Sequence, residues 1–128
     1  MIANLQRFAE LSPPRQKLVR MCQTLNFGQI MGIIIQNGEP LFDPAPVVLA
    51  ETLLDRADER RPEINLADFV LPAEALRLMI RLDEVSNGTI ERLEVRSGVP
   101  RRLIFESRLI DSSIEPRKYI EDGREPNG

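Results

Sequence analysis

Two stretches of the chain, 60 residues apart, share one pattern. Residues 28–40 read GQIMGIIIQNGEP, and residues 88–100 read GTIERLEVRSGVP. Aligning residues 11–40 with residues 71–100 without a gap gives six identities, which include two glycines and the proline of each stretch. Convergence would also explain them, because any helix followed by a hairpin favours glycine at such places. We favour an internal repeat, since the identities fall where the backbone needs them.

The first copy has the pattern of a helix followed by a β-hairpin. Ser12 is a good N-cap, and Pro13 suits the first position of a helix. Apolar residues then recur at helical spacing, and an isoleucine-rich segment follows them. Asn37-Gly38 favours a tight type I′ turn, whose two central residues both need positive φ. We therefore predict a helix and two strands in this copy.

The second copy predicts a helix over residues 72–85 and a turn at Ser97-Gly98. Its first strand shares an irregularity with the first copy, because apolar residues stand three apart before the spacing falls to two. Side chains of a regular strand alternate between faces with a period of two. A β-bulge near residues 31–32 and 91–92 would return the apolar residues to one face. We favour the bulge over the alternative, in which Ile30 and Ile90 pack on the opposite side of the sheet.

The chain is interpreted as a single domain of four segments. They are repeat one (11–43), an acidic connection (44–70), repeat two (71–105) and a mobile polar tail (111–128). Within the connection, residues 46–53 would form either a strand or a short helix. Their β-branched start favours a strand.

Composition indicates an ordinary globular protein. Apolar residues make up 42% of the chain and charged residues 29%, with a net charge of −3, which disfavours broad binding to nucleic acid or to anionic membranes. No segment has the about 18 to 20 continuous apolar residues that span a bilayer, so we expect no membrane partner. Cys22 is the single cysteine and stands on the apolar stripe of the first helix. We interpret it as a buried structural thiol in a cytoplasmic protein, rather than a reactive one.

Catalytic and ligand-binding signatures are missing from the sequence. The chain has no histidine, which excludes Ser-His-Asp and Cys-His mechanisms and histidine-bound zinc. It has no glycine-rich phosphate loop. Acidic residues such as Asp83 are interpreted as solvated, and the acidic residues 55–59 lack the closing glutamate of a calcium loop. We expect no catalytic residue, no cofactor and no metal, and an enzyme is the third of three functional classes.

Protein interaction is the leading class. The first hairpin is nearly all apolar, whereas the second is interspersed with charge. Apolar hairpins with exposed edges favour pairing between chains. We predict a non-catalytic interaction or assembly module, with a protein partner or a homo-oligomer formed through a sheet edge. The candidate contact residues are Met31, Ile34 and Leu41.

Nucleic-acid binding through a local basic patch is the second class. The candidate contacts are Arg15, Lys17 and Arg20 on the first helix, and Arg96, Arg101 and Arg102 beside the second turn. A pseudo-twofold axis between the repeats would bring the two groups together. No aromatic platform accompanies them, so we expect weak base stacking, and a solvated polar face explains the same residues.

The order of elements resembles the small bacterial YezD-like proteins, a family of uncharacterised function. Proteins of that family look like a single helix followed by a hairpin. They have a Tyr-Gly and an Asp-Gly at places similar to those of the glycines in this chain. Phe27-Gly28 with Asn37-Gly38, and Asn87-Gly88 with Ser97-Gly98, stand there in this chain, and each match covers about 30 residues. The chain departs by its two copies, one extra residue between the glycines and the long acidic connection. The resemblance implies a tandem duplication and transfers no catalytic residue.

These patterns together predict an α+β fold. Two α-β-β repeats would form a mainly antiparallel sheet with two helices on one face. The predicted core is aliphatic and takes one face of each element. It comprises Leu18, Cys22, Leu25, Ile30, Ile33, Ile35, Leu78, Leu82, Val85, Ile90, Leu93 and Val95.

Overall fold

A computed structural model describes residues 6–106, which form two α-helices and a six-stranded antiparallel sheet. The helices are α1 (Pro13–Leu25) and α2 (Ala73–Val85). The strands are β1 (Phe27–Met31), β2 (Ile33–Gln36), β3 (Glu39–Leu41), β4 (Val47–Ala50), β5 (Gly88–Arg96) and β6 (Val99–Glu106). The predicted α+β class is confirmed, and so is the strand predicted within residues 46–53. The predicted polar tail, 111–128, lies outside the described residues.

The start of α1 is capped as the sequence predicts. The Ser12 hydroxyl accepts a hydrogen bond from the Arg15 backbone N–H at 3.4 Å, as expected of an N-cap residue.

Both helices end in the same local geometry. The residue after each helix has positive φ, 67° at Asn26 and 65° at Ser86. Each of these residues donates its N–H to a carbonyl of the preceding turn. The chain therefore leaves both helices in the same direction relative to their axes.

The hairpin turns have the predicted type I′ signature. Asn37 and Gly38 have φ values of 53° and 78°, and Ser97 and Gly98 have 54° and 80°. Two consecutive residues of positive φ are what this turn requires, and glycine adopts that conformation without a Cβ penalty. The turns join β2 to β3 and β5 to β6.

The central strand of the sheet is β5. It pairs on one side with β1 and β2, and on the other side with β6, while β4 and β3 pair with the outer edges of β1 and β2. Ile30 faces Leu93 and Ile33 faces Ile90, so the register along β5 does not shift between β1 and β2. The segment from α1 to β3 (residues 13–41) is called the first α-β-β unit, and the segment from α2 to β6 (residues 73–106) is called the second.

Irregularities in the first strands return the apolar side chains to one face. Gly32 separates β1 from β2, and Glu91 is an extra residue of β5 relative to β6, where the register shifts between Ile90 and Arg92. Ile30 and Ile90 are both fully buried in the core that the helices cover. The bulge predicted in β5 is confirmed, and neither isoleucine lies on the opposite face.

The core lies between the two helices and one face of the sheet. Ten of the twelve predicted core residues are buried, and the exceptions, Leu25 and Val85, are half-buried because they end their helices. The core also contains Phe8 and Phe69, whose rings stack with centroids 4.9 Å apart. These two residues bring the N-terminal segment and the connection into the same core. Within residues 6–106, no helix combines the length and apolar character needed to cross a membrane.

Candidate interaction edge and apolar cavity

The strand β4 is an uncharged edge with no cover among residues 6–106. Of the described strands it pairs only with β1, and all four of its residues are exposed. The exposed fractions are 55% for Val47, 47% for Val48 and 50% for Leu49. Natural edge strands usually carry charges, prolines or bulges that prevent pairing with other chains. Since β4 has none of these within its four residues, it is a template for an added strand.

Hydrogen bonding in β4 identifies the groups that face away from the sheet. The N–H of Glu51 donates to the carbonyl of Phe27 at 2.8 Å, which continues the ladder between β4 and β1. Antiparallel pairs alternate between bonded and non-bonded positions. Leu49 and Val47 therefore bond to β1, whereas the N–H and C=O groups of Val48 and Ala50 point toward the free edge.

The three predicted protein-contact residues lie on the sheet face opposite α1 and α2, here called the open face. Ile34 faces Leu41 across β2 and β3, and Met31 faces Val47 across β1 and β4. All three predicted residues are half-buried. An apolar strip on the open face therefore runs from Leu41 and Ile34 to Met31 and Val47, and Leu49 continues it along β4 opposite Gln29. Val47 and Leu49 were missed in the sequence because they stand in the acidic connection, where the run of Val-Val-Leu was the available signal.

An apolar cavity of about 560 Å³ lies on the helix side of β4. Its walls are α1, β1, β4 and the segment 51–60. The apolar residues that line it include Met21, Leu25, Ile30, Val48, Leu53 and Ala57. The strand β4 thus has a free backbone edge and also forms one wall of the cavity.

Hydrogen bonds to the C-terminal end of α1 hold the outer wall of the cavity. The side-chain amide of Asn26, which is 1% exposed, donates to the Asp58 carboxylate at 2.8 Å and to the Glu59 carbonyl at 3.0 Å. Arg60 donates to the carbonyls of Gln23 and Thr24 and forms an ion pair with Asp58 at 2.9 Å. Because the segment is anchored at these points, the cavity is formed before any ligand arrives.

Two of the predicted nucleic-acid contacts are occupied by contacts within the protein. The guanidinium of Arg15 binds the Gly38 carbonyl at 2.9 Å and Asp83 at 2.6 Å, and its side chain is 12% exposed. Arg20 donates to the carbonyls of Glu63 and Leu66 at 3.0 and 2.6 Å. Its guanidinium also lies 4.3 Å from the centroid of the Phe8 ring. These two arginines thus join segments of the fold.

The other predicted basic residues lie in separate places. The ammonium of Lys17 is 4.7 Å from the centroid of the Phe42 ring, at the margin of the apolar cavity. Arg96 is exposed and faces Phe27. Arg101 and Arg102 line a second cavity, of about 300 Å³, between α2 and β6. Arg77 and Arg81 line the same cavity and were not among the predicted contacts, because only their position on α2 brings them there.

The single cysteine, Cys22, has a free thiol that is buried in the core. It is 1% exposed, and burial raises its pKa to about 12. Among residues 6–106, no three histidine, cysteine, aspartate or glutamate side chains group as metal ligands would.

Comparison with known protein families, with curated proteins and with solved structures finds no match for this chain.

Proposed function

We propose that the chain is a non-catalytic assembly module that associates with a second copy of itself through β4. The observation that carries this proposal is the exposure of all four residues of an uncharged edge strand. Edge strands of this kind bind partners by adding a strand to the sheet. We propose a cytoplasmic location for this oligomer, because the single cysteine, Cys22, fits a reducing compartment.

In the proposed dimer, two copies of β4 pair antiparallel across a twofold axis. Val48 of one copy then exchanges backbone hydrogen bonds with Ala50 of the other, because these residues present their polar groups to the free edge. Leu49 lies opposite Leu49 of the second copy. The pairing of β1 and β2 with β5 supports this arrangement, since the chain already joins two similar units by antiparallel edges.

Light scattering coupled to size-exclusion chromatography tests the proposal. We expect the molar mass of the wild-type protein to rise from monomer toward dimer with concentration. The variant Val47→Lys places a charge beside the free edge and should remain monomeric. The matched control is Leu54→Lys, because Leu54 is 93% exposed and lies beyond the strand.

The control should dimerise as the wild type does. A wild-type protein that stays monomeric at high concentration would overturn the proposal. Equal dimerisation of the wild type and Val47→Lys would place the interface elsewhere and would also overturn it.

A second candidate function is binding of nucleic acid by the second unit. It is favoured by the grouping of Arg77, Arg81, Arg101 and Arg102 around one cavity, whose lining includes a single carboxylate, that of Glu74. Phosphate contacts make binding strongly dependent on salt. Fluorescence anisotropy of labelled DNA and RNA should therefore show binding that weakens with salt and is lost in Arg101→Glu. Binding unaffected by this substitution would exclude the patch.

We further propose that the two α-β-β units are a tandem duplication of the type that the YezD-like resemblance implies. The bounds of α1 and α2 are offset by 60 residues. The positive φ angles of Asn26, Asn37 and Gly38 recur within about two degrees 60 residues later. These matching dihedral angles support the proposal beyond the shared glycines.

A further inference from the structure

We propose that the cavity between α1 and β4 binds a small aromatic carboxylate, with its ring among the apolar side chains and its carboxylate beside Lys17. This inference is independent of dimerisation through the free edge, since it concerns the helix side of β4.

A difference between the two units explains why the cavity exists. Ile90 faces Phe105 in the second unit, whereas Ile30, its counterpart, faces Val48. The ring of Phe105 packs against Gly88, where an added Cβ would lie 2.7 Å from the ring carbon Cζ. In the first unit the Leu25 side chain lies over Gly28, with Cδ1 3.1 Å from an added Cβ, and the smaller Val48 leaves the space beside it open as the cavity. An aromatic ring is thus the group that this fold itself places at that position.

The dimensions and lining of the cavity suit a small ligand. Its volume of about 560 Å³ falls within the range of roughly 300 to 1,000 Å³ that is typical of ligand sites. Met21, Leu25 and Ile30 provide an apolar wall on the core side. The opposite wall is anchored by Asn26 and Arg60, so little conformational entropy is lost when a ligand enters.

Three cations (Lys17, Arg20 and Arg60) and two carboxylates (Glu51 and Asp58) line the cavity, and this excess of one positive charge favours a single anionic group on the ligand. Arg20 and Arg60 are already bound to backbone carbonyls, and Asp58 is bound by Arg60 and Asn26. Lys17 is exposed and has no carboxylate within 4.0 Å among residues 6–106. Its ammonium is therefore the cation at the margin that is available to a ligand carboxylate.

Calorimetric titration of the full chain with naphthylacetate tests the proposal. The neutral analogue naphthylethanol should bind about tenfold more weakly, because it cannot pair with Lys17. The variant Val48→Phe places in the first unit the side chain that fills the second, and it should abolish measurable binding. Leu49→Phe is the matched control, since Leu49 has the neighbouring position on β4 and faces the open side. The control should bind as the wild type does.

Lys17→Met should weaken the binding of naphthylacetate by about tenfold and leave that of naphthylethanol unchanged. Thermal unfolding establishes that each variant is folded, and Met21→Phe, which fills the cavity from α1, replaces Val48→Phe if that variant does not fold. Failure of the wild type to bind naphthylacetate would overturn the proposal. Undiminished binding by a folded cavity-filling variant, or equal affinity for acid and alcohol, would overturn it as well.

Discussion

Ile33 lies directly opposite Ile90 at the centre of the sheet, and both side chains are completely buried. The two residues belong to different α-β-β units, so their contact joins the two units through the core. In the adjacent pair, Ile30 lies opposite Leu93, and both of these side chains are buried as well. The seam between the units is therefore an apolar ladder covered by both helices.

Truncation at this seam should be costly. Ile33→Ala removes buried methyl groups and leaves a cavity, so we expect a loss of about 2 to 5 kcal/mol in the free energy of unfolding. Ile34→Ala is the matched control, because Ile34 is the next residue of β2 and is half-buried on the open face. Urea denaturation measures both losses. Equal losses would contradict the assignment of the open face.

The substitution Gly88→Ala tests the packing of Phe105. Gly88 has a φ of 155°, and an added Cβ would lie 2.7 Å from the Phe105 ring and 2.8 Å from the Glu106 carbonyl oxygen. We expect a loss of about 2 to 4 kcal/mol, from backbone strain and the displaced ring together.

Gly32→Ala is the control for backbone strain alone. Gly32 has a φ of 82°, but an added Cβ there would meet nothing within 4 Å. It should therefore cost about 1 to 2 kcal/mol. Thermal or urea denaturation ranks the two variants, and a larger loss for Gly32→Ala would contradict the crowding at Gly88.

Local features of the fold could be predicted from the sequence because few residues determine them. The turn at Asn37-Gly38 needs two adjacent positive φ values, and the cap at Ser12 needs one hydroxyl near a free N–H. The burial of Ile30 and Ile33 on one face followed from their spacing together with a bulge. Each of these inferences depends on neighbours within about four residues.

The candidate site could not be predicted in this way, because its parts are distant in the chain. The edge strand β4 forms by pairing with β1 across some 20 residues, and it is exposed because no other strand of residues 6–106 pairs with it. The cavity arises from Val48 occupying the place that Phe105 has in the other unit, which a gapless alignment does not match. Arg20 looked like a surface cation, and its carbonyl partners lie 43 to 46 residues away.

Replacing Arg20 should destabilise the fold. Its planar guanidinium donates to the Glu63 and Leu66 carbonyls and lies over the Phe8 ring, and a lysine ammonium cannot make all these contacts at once. We expect Arg20→Lys to lose about 2 kcal/mol in the free energy of unfolding. Arg77→Lys, at an exposed position of α2, should change stability by less than about 0.5 kcal/mol. Equal effects in urea denaturation would refute the bridging role of Arg20.

The Cys22 thiol should be inert in the folded protein. It is 1% exposed, and burial raises its pKa to about 12, so almost no thiolate is present near neutral pH. We expect iodoacetamide to modify it slowly in buffer and rapidly in denaturing urea. Mass spectrometry of timed samples measures both rates, and rapid modification without urea would contradict the packing of α1 on the sheet.

The Glu91 carboxyl should make stability depend on pH. It stands at the bulge of β5, where a hydrogen bond with the Glu106 carboxylate, and then the repulsion between the two charges, raises its pKa above the ordinary 4.5. The folded state therefore binds the proton more tightly than the unfolded state does. The resulting stabilisation is present below about pH 4.5 and is lost as the pH rises through the raised pKa of Glu91.

The variant Glu91→Gln removes this repulsion and retains a hydrogen-bond donor for Glu106. We expect it to have a higher melting temperature than the wild type near neutral pH, and no advantage at about pH 4, where the wild-type carboxyl is protonated. The control is Glu59→Gln, which removes an exposed carboxylate of the connection away from the bulge. Scanning calorimetry at both pH values measures the melting temperatures of the wild type and of the two variants. An advantage that is the same at both pH values would mean that Glu106 does not raise the pKa of Glu91.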